Sequence, residues 1–115
     1  MMRFPTLLLV LALSTPAFVA CGDGESPVAK LRLEDLVRFA GRYDGERVTS
    51  AGIVRSHSDP EHYWIEDDEL HRVEVRPPSA VAAHLGERVR IVGRFYYSRK
   101  QGRTIEVERI AVLGR

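Results

Sequence analysis

Residues 45–54 read GERVTSAGIV, and residues 86–95 read GERVRIVGRF. Each stretch opens Gly-Glu-Arg-Val and carries a second glycine seven places after the first, at Gly52 and Gly93. Valine, isoleucine and threonine dominate both copies, and such residues favour extended backbone whose side chains alternate between two faces. Val48 and Val54 fall on one face of the first copy, with Thr49, Ala51 and Ile53 on the other. A leading glycine fits a turn. A glycine inside a strand marks a bulge or a sharp bend, where a side chain would obstruct. The repeat therefore predicts two strands that meet the same geometric demand, each entered through a Gly-led turn.

The segments around the repeat supply the other elements. Before it, Leu33, Leu36, Val37 and Ala40 fall at helical spacing within Val28 to Tyr43, with Glu34 and Asp35 early, which predicts a short amphipathic helix ending near Gly41. The first copy continues as a strand from Arg47 to Arg55. A loop (Ser56 to Glu61), a strand (His62 to Glu66), the acidic turn Asp67 to Glu69 and a return strand to Arg76 follow. Pro77 and Pro78 stop that strand. Ser79 to Leu85 reads as a short helix closed by Gly86. The second copy opens a long strand to Tyr97, then comes the basic loop Ser98 to Arg103, and Thr104 to Leu113 is the last strand.

Three strands, a helix and two strands is the layout of the OB-fold. The expectation is an all-β chain: a five-stranded Greek-key barrel with a short N-terminal helix and a helix between strands three and four. From about Leu33 to Leu113 the chain resembles small exported bacterial OB-fold proteins, among them lipoproteins related to the anticodon-binding OB-fold group. The resemblance rests on Gly45-Glu46-Arg47-Val48, Tyr63-Trp64-Ile65-Glu66-Asp67, Gly86 to Gly93, and Ile105-Glu106-Val107. These motifs specify a fold far better than an activity.

The first 20 residues have another character. Arg3 precedes an apolar run from Leu7 to Leu13, and small and apolar residues continue to Ala20. This is the shape of an export signal, and the run is short for a membrane span. Phe18-Val19-Ala20-Cys21 resembles a lipobox, and Cys21 is the chain's only cysteine. The resemblance implies a lipidated, palmitate-bearing Cys21 that anchors the protein to a membrane of the bacterial cell envelope, facing the periplasm or exterior. The expected organisation is a signal peptide at 1–20, the lipidated cysteine and a flexible tether at 21–30, and the OB-fold domain at 31–115.

Charge narrows the function classes. The chain has 17 basic and 16 acidic residues, and Arg3 is the one charged residue of the leader, so the remainder balances. A domain that grips nucleic-acid backbone usually carries a basic excess or stripe, so any basic site must be local. There is no Gly-x-Ser-x-Gly, no phosphate loop and no His-Glu-x-x-His, and catalysis is not expected. The cluster His57, Asp59, Glu61 and His62 matches no metal spacing, so no metal is assigned. No cofactor is expected, and the haem-attaching histidine motif of the exported OB-fold haem chaperones is not found. His71 and His84 read as packing residues.

OB-folds bind ligands on the outer face of strands two and three, framed by loops. Alternation turns Ile65, Val73, Val75 and Tyr63 inward, leaving His62, Trp64, Glu66, Arg72, Glu74 and Arg76 outward, and the loops add His57, Asp59, Arg99, Lys100 and Arg103. Trp64 beside arginines has the composition of a stacking platform. Arg94, Tyr96, Arg99, Lys100 and Arg103 form the best local basic patch with an interleaved aromatic. Against it, Glu66 to Glu69 would repel phosphates. The expected function is a membrane-anchored, non-catalytic binding domain whose partner is a protein or an envelope oligomer. Single-stranded nucleic acid or nucleotide binding on the same face ranks behind.

Overall fold

A computed structural model of the chain describes residues 27–114. In chain order the elements are β1 (Ala29–Lys30), α1 (Leu33–Arg38), α2 (Ala40–Tyr43), β2 (Arg47–Ser58), β3 (Glu61–Glu66), β4 (Arg72–Arg76), β5 (Arg88–Ser98) and β6 (Gly102–Gly114), with two 3-10 turns, Pro78–Ala80 and Ala82–His84, before β5. The five-stranded Greek-key barrel expected from the sequence is corrected. The strands form one six-stranded mixed sheet in the order β1-β2-β3-β4-β6-β5, with an additional β2–β5 pairing. The sixth strand is β1, which runs parallel to β2 through Ala29↔Val48 and Lys30↔Thr49. Two residues carry no period, and these two lie in the stretch read as tether, so alternation could not reveal them.

The two copies of the repeated sequence are β2 and β5, and they pair antiparallel from Arg47↔Arg94 to Ile53↔Arg88. The turns that start them are reciprocal. Gly45 N–H donates to the Phe95 carbonyl at 2.7 Å, and Gly86 N–H donates to the Val54 carbonyl at 2.9 Å. Each turn is fastened to the strand that the other begins. Both glycines have positive φ, +85° and +84°, which other residues adopt at a cost.

The inner glycines answer to contact rather than to conformation. A Cβ on Gly93 would stand directly against the Glu106 carbonyl oxygen of β6, and the β5–β6 register shifts between Val92 and Gly93. A Cβ on Gly52 would lie 2.9 Å from the Glu66 carbonyl oxygen and 2.9 Å from Leu33 Cδ1. At this point β2 exchanges neighbours: Ile53 pairs with Arg88 of β5 on one edge and with Glu66 of β3 on the other.

Alternation then builds the core. Val48 and Val54 of β2, Ile65 of β3, Val73 and Val75 of β4, Val89, Ile91 and Phe95 of β5 and Ile105 of β6 are buried together with Val81. Leu33, Leu36 and Ala40 of the helices complete the cluster. The helical segment is two short pieces broken at Phe39, and it runs to Tyr43 rather than ending near Gly41. The segment from Ser79 to Leu85, read as a helix, forms the two 3-10 turns instead.

The loop expected from Ser56 to Glu61 is mostly strand. His57 pairs with His62 and Ser58 with Glu61, so only Asp59 and Pro60 turn. This extension of β2 beside β3 shapes the site.

Candidate functional site

The outer face of β3 and β4 carries a continuous row of ring systems. His57 of β2 stacks on His62 of β3, with centroids 5.6 Å apart and planes 24° from parallel. His62 in turn meets Trp64 at 5.3 Å. The guanidinium of Arg72, one strand across on β4, lies 5.1 Å from the centre of the Trp64 ring. Cross-strand register sets this order: His57↔His62 and Arg55↔Trp64 between β2 and β3, and Trp64↔Glu74 and Glu66↔Arg72 between β3 and β4. Residues directly opposite in neighbouring strands share a face. The result is a ladder of four flat groups on one surface, half-buried at its centre.

Glu66 fixes the ladder's end. Its carboxylate accepts from Trp64 Nε1 at 2.9 Å and lies 3.0 Å from Arg72 Nε and 3.5 Å from Arg55 Nε. One acid therefore holds the indole and two arginines in place. Beside it, Arg76 Nε lies 3.1 Å from Glu74 Oε2. The imidazoles are fixed by the turn between them: His57 Nδ1 accepts from Asp59 N–H at 3.2 Å, and His62 Nδ1 donates to the Pro60 carbonyl at 2.9 Å.

The acidic turn is less repellent than its sequence implies. Asp67 binds His71 Nδ1 at 2.8 Å and accepts the backbone N–H groups of Glu69 and His71. Burial works to raise the Asp67 pKa, but these hydrogen bonds and the imidazole outweigh it and hold the carboxyl below its ordinary value. Asp67, Glu69 and His71 place ligand-type atoms within 4.8 Å of one another, and Asp67 and His71 already satisfy each other there. His84, also half-buried, holds Glu87 at 2.8 Å. Both histidines brace turns.

The structure gathers some of the anticipated residues and separates others. His62, Trp64, Arg72 and Arg76 share the ladder face. Arg94 and Tyr96 stand further round the sheet, reached from Arg76 through Glu106, which pairs with both Arg76 and Arg94. Arg94 Nη1 donates to the Gly45 carbonyl at 2.7 Å, so it braces the first repeated turn. Tyr96 is 45% exposed and lines a groove of about 290 Å³ with Arg76 and Thr104. Arg99 and Lys100 sit exposed at the tip of the β5–β6 hairpin. Arg103 departs from the patch: it pairs with Tyr97, on the face of Phe95 and Ile105 and opposite to Tyr96. Arg55 was not among the anticipated residues, and His57 was expected to join the face from a loop rather than from a strand. Carrying the β2 alternation past Gly52 puts both on the Trp64 side, and the turn residues of SHSDPE concealed that continuation.

No family model and no curated protein matches the chain. Solved structures do match. One is "OBody AM3L09 bound to hen egg-white lysozyme", 19% identical with a TM-score of 0.57, covering 78% of this chain and 99% of that one. Another is replication protein A of U. maydis bound to ssDNA, 21% identical with a TM-score of 0.54, covering 77% of this chain and 75% of that one. The chain shares its fold with OB-fold proteins, and both of these matches are binding proteins.

These findings correct two expectations drawn from the sequence. Attachment to a membrane through a lipidated, palmitate-bearing Cys21 has no support: no helix among the described residues is long and apolar enough to cross a membrane, and Cys21 lies outside those residues. Nucleic acid no longer ranks behind a protein or an envelope oligomer, because a protein of the same fold holds a single strand of DNA.

Proposed function

We propose that the domain is a non-catalytic binder of single-stranded nucleic acid, held across the outer face of β3 and β4. The observation that carries this reading is the ladder His57–His62–Trp64–Arg72, in which three aromatic rings and a guanidinium follow one another on a single surface. Stacking on such groups is indifferent to sequence, since every base has a flat face. Arg55, Arg72 and Arg76 border the rings and can meet backbone phosphates. Their local carboxylates, Glu66 and Glu74, number one fewer than these cations. The balanced charge of the whole domain is compatible with this, because the three arginines at the rings supply a local site. The export-type leader at 1–20 leads us to place this binding outside the cytoplasm, on sequence alone.

The test uses Trp64, the single tryptophan. Single-stranded and duplex oligonucleotides are titrated into the protein at low and raised salt while its fluorescence is followed. The expected result is quenching by single strands in preference to duplex. Neutralising two to three phosphates should give a log–log salt slope of roughly −1.4 to −2.1. Fluorescence that ignores both oligonucleotides at low salt overturns the reading.

A further inference from the structure

We infer that the cleft between the β1–α1 connection and the start of β5 is a second phosphate site, which takes the backbone of a strand that runs on from the ring ladder. The inference rests on the reading of that ladder as a single-strand platform. The cleft measures about 550 Å³, and its wall includes Lys30, Arg88 and Arg90. By sequence its lining is a balanced mixture of acids and bases. By contact it is not.

Three of the four carboxylates in the lining are already engaged. Asp35 pairs with Arg32 at 3.5 Å, and Glu34 pairs with Arg38 at 2.9 Å and with Arg32 at 3.8 Å. Asp67 is held by His71. The fourth, Glu69, is exposed and its carboxylate has no partner among the described residues. Lys30, Arg88 and Arg90, in contrast, make no side-chain hydrogen bond or ion pair among the described residues. Lys30 on the β1 side and Arg88 and Arg90 on the β5 side are therefore three cations without partners, although the lining as a whole holds four cations and four acids. An anion entering the cleft would displace no existing partner of theirs.

Register ties this wall to the ladder. Arg88 pairs with Ile53, Ile53 with Glu66, and Glu66 with Arg72, so a single cross-strand row runs over β5, β2, β3 and β4. Arg88 stands two strand spacings from Glu66, roughly 10 Å. Half-buried Ile53 lies between them as an apolar crossing. The surface therefore offers rings with arginines, an apolar step and then free cations. That sequence of groups suits a chain alternating bases with phosphates, and a run of several nucleotides is within the range bound by one such domain.

The experiment compares labelled oligothymidylates of about twelve and about four nucleotides by fluorescence polarisation on the full chain. Variants are R88Q/R90Q and K30Q. The longer probe should bind the double variant about tenfold more weakly at low salt, with a log–log salt slope shallower by about 1.4, and K30Q should lower the slope by about 0.7. The shorter probe should bind all three proteins alike. Equal slopes for wild type and both variants on the longer probe overturn the second site and leave the ladder reading intact. If neither probe binds wild type, pyrophosphate is titrated while the arginine Nε–H NMR signals are followed. Shifts at Arg88 and Arg90 would then support an anion site while the platform reading falls, and unmoved signals would sink both.

Discussion

Arg72 is stacked on Trp64 and ion-paired with the same carboxylate that accepts the Trp64 indole N–H, with its guanidinium 5.1 Å from the ring centre. The indole is therefore held at its edge and covered on a face before any ligand arrives. A group so placed loses little freedom on binding, which favours affinity. Replacing Trp64 by Leu should weaken single-strand binding by about 1–3 kcal/mol, the usual contribution of one stacked base, while W64F should retain most of it. Polarisation titrations check this. A W64L protein that binds as tightly as wild type would remove the platform.

Glu66 is the acid that holds the Trp64 indole, and it pairs with Arg55 and Arg72 at once. E66Q keeps an acceptor for the indole N–H and removes the negative charge. Phosphate binding should become tighter at low salt, with a slope steeper by about 0.7 if one further phosphate is engaged. Weaker binding in E66Q would instead show that the anchored geometry matters more than the freed charge.

The glycines of the repeat should differ sharply from the glycine of α2. G93A drives a methyl group into the Glu106 carbonyl, and it should destabilise the fold by about 3 kcal/mol or more, at the upper end of overpacking costs. A methyl group added at Gly41 would meet nothing within 4 Å, and the backbone there is not left-handed. G41A should be neutral or stabilising by up to about 1 kcal/mol, through helix propensity and a less flexible unfolded chain. Urea midpoints of the two variants decide it.

Ser50 is fully buried among the inward valines of β2, and its hydroxyl has no hydrogen-bond partner among the described residues. An unpaired buried hydroxyl costs free energy that a methyl group does not. S50A should leave the protein as stable or up to about 1 kcal/mol more so. A loss of that size would mean that the hydroxyl is satisfied in solution.

Acid should loosen the turns around β3 and β1. Asp67 and Asp35 both have carboxyl pKa values below the ordinary 3.8, Asp67 because its hydrogen bonds outweigh its burial, and Asp35 chiefly because it accepts the Arg32 backbone N–H. A group depressed in the folded state adds stability that is fully present above its unfolded pKa and is lost as pH falls through the folded one. Stability should therefore decline as pH drops below about 3.8. D67N should be less stable at neutral pH and should show a flatter decline in acid, measured as thermal midpoint against pH.

The interior of this fold is readable from the chain because alternation has a direct physical cause. Parity turns Ile65, Val73 and Val75 inward, and all three are buried. It turns Trp64 and Arg72 outward, and they meet there. What escapes is whatever depends on pairing across long separations. Nothing local in Ala29–Lys30 announces a parallel partner at Val48, and nothing local in SHSDPE shows that His57 will lie against His62. Arg103 illustrates the converse. It sits in a basic run with Arg99 and Lys100, and a single step of register sends it to the other face. The engagement of Glu34, Asp35 and Asp67, which leaves the cations of the β1–β5 cleft free, is likewise a matter of geometry that composition conceals.

The two repeated turns also bear on how the chain reaches this state. Gly45 waits for a carbonyl at Phe95, and Gly86 waits for one at Val54. Neither strand start is complete until segments from opposite halves of the chain have met. Contacts of such long sequence separation must meet their closure entropy before they return any stabilisation, and they slow folding. Fragments divided after Pro77 would each keep one turn and lose its acceptor. The repeat thus makes the halves of the domain depend on each other kinetically, and it favours an assembly that completes both starts together.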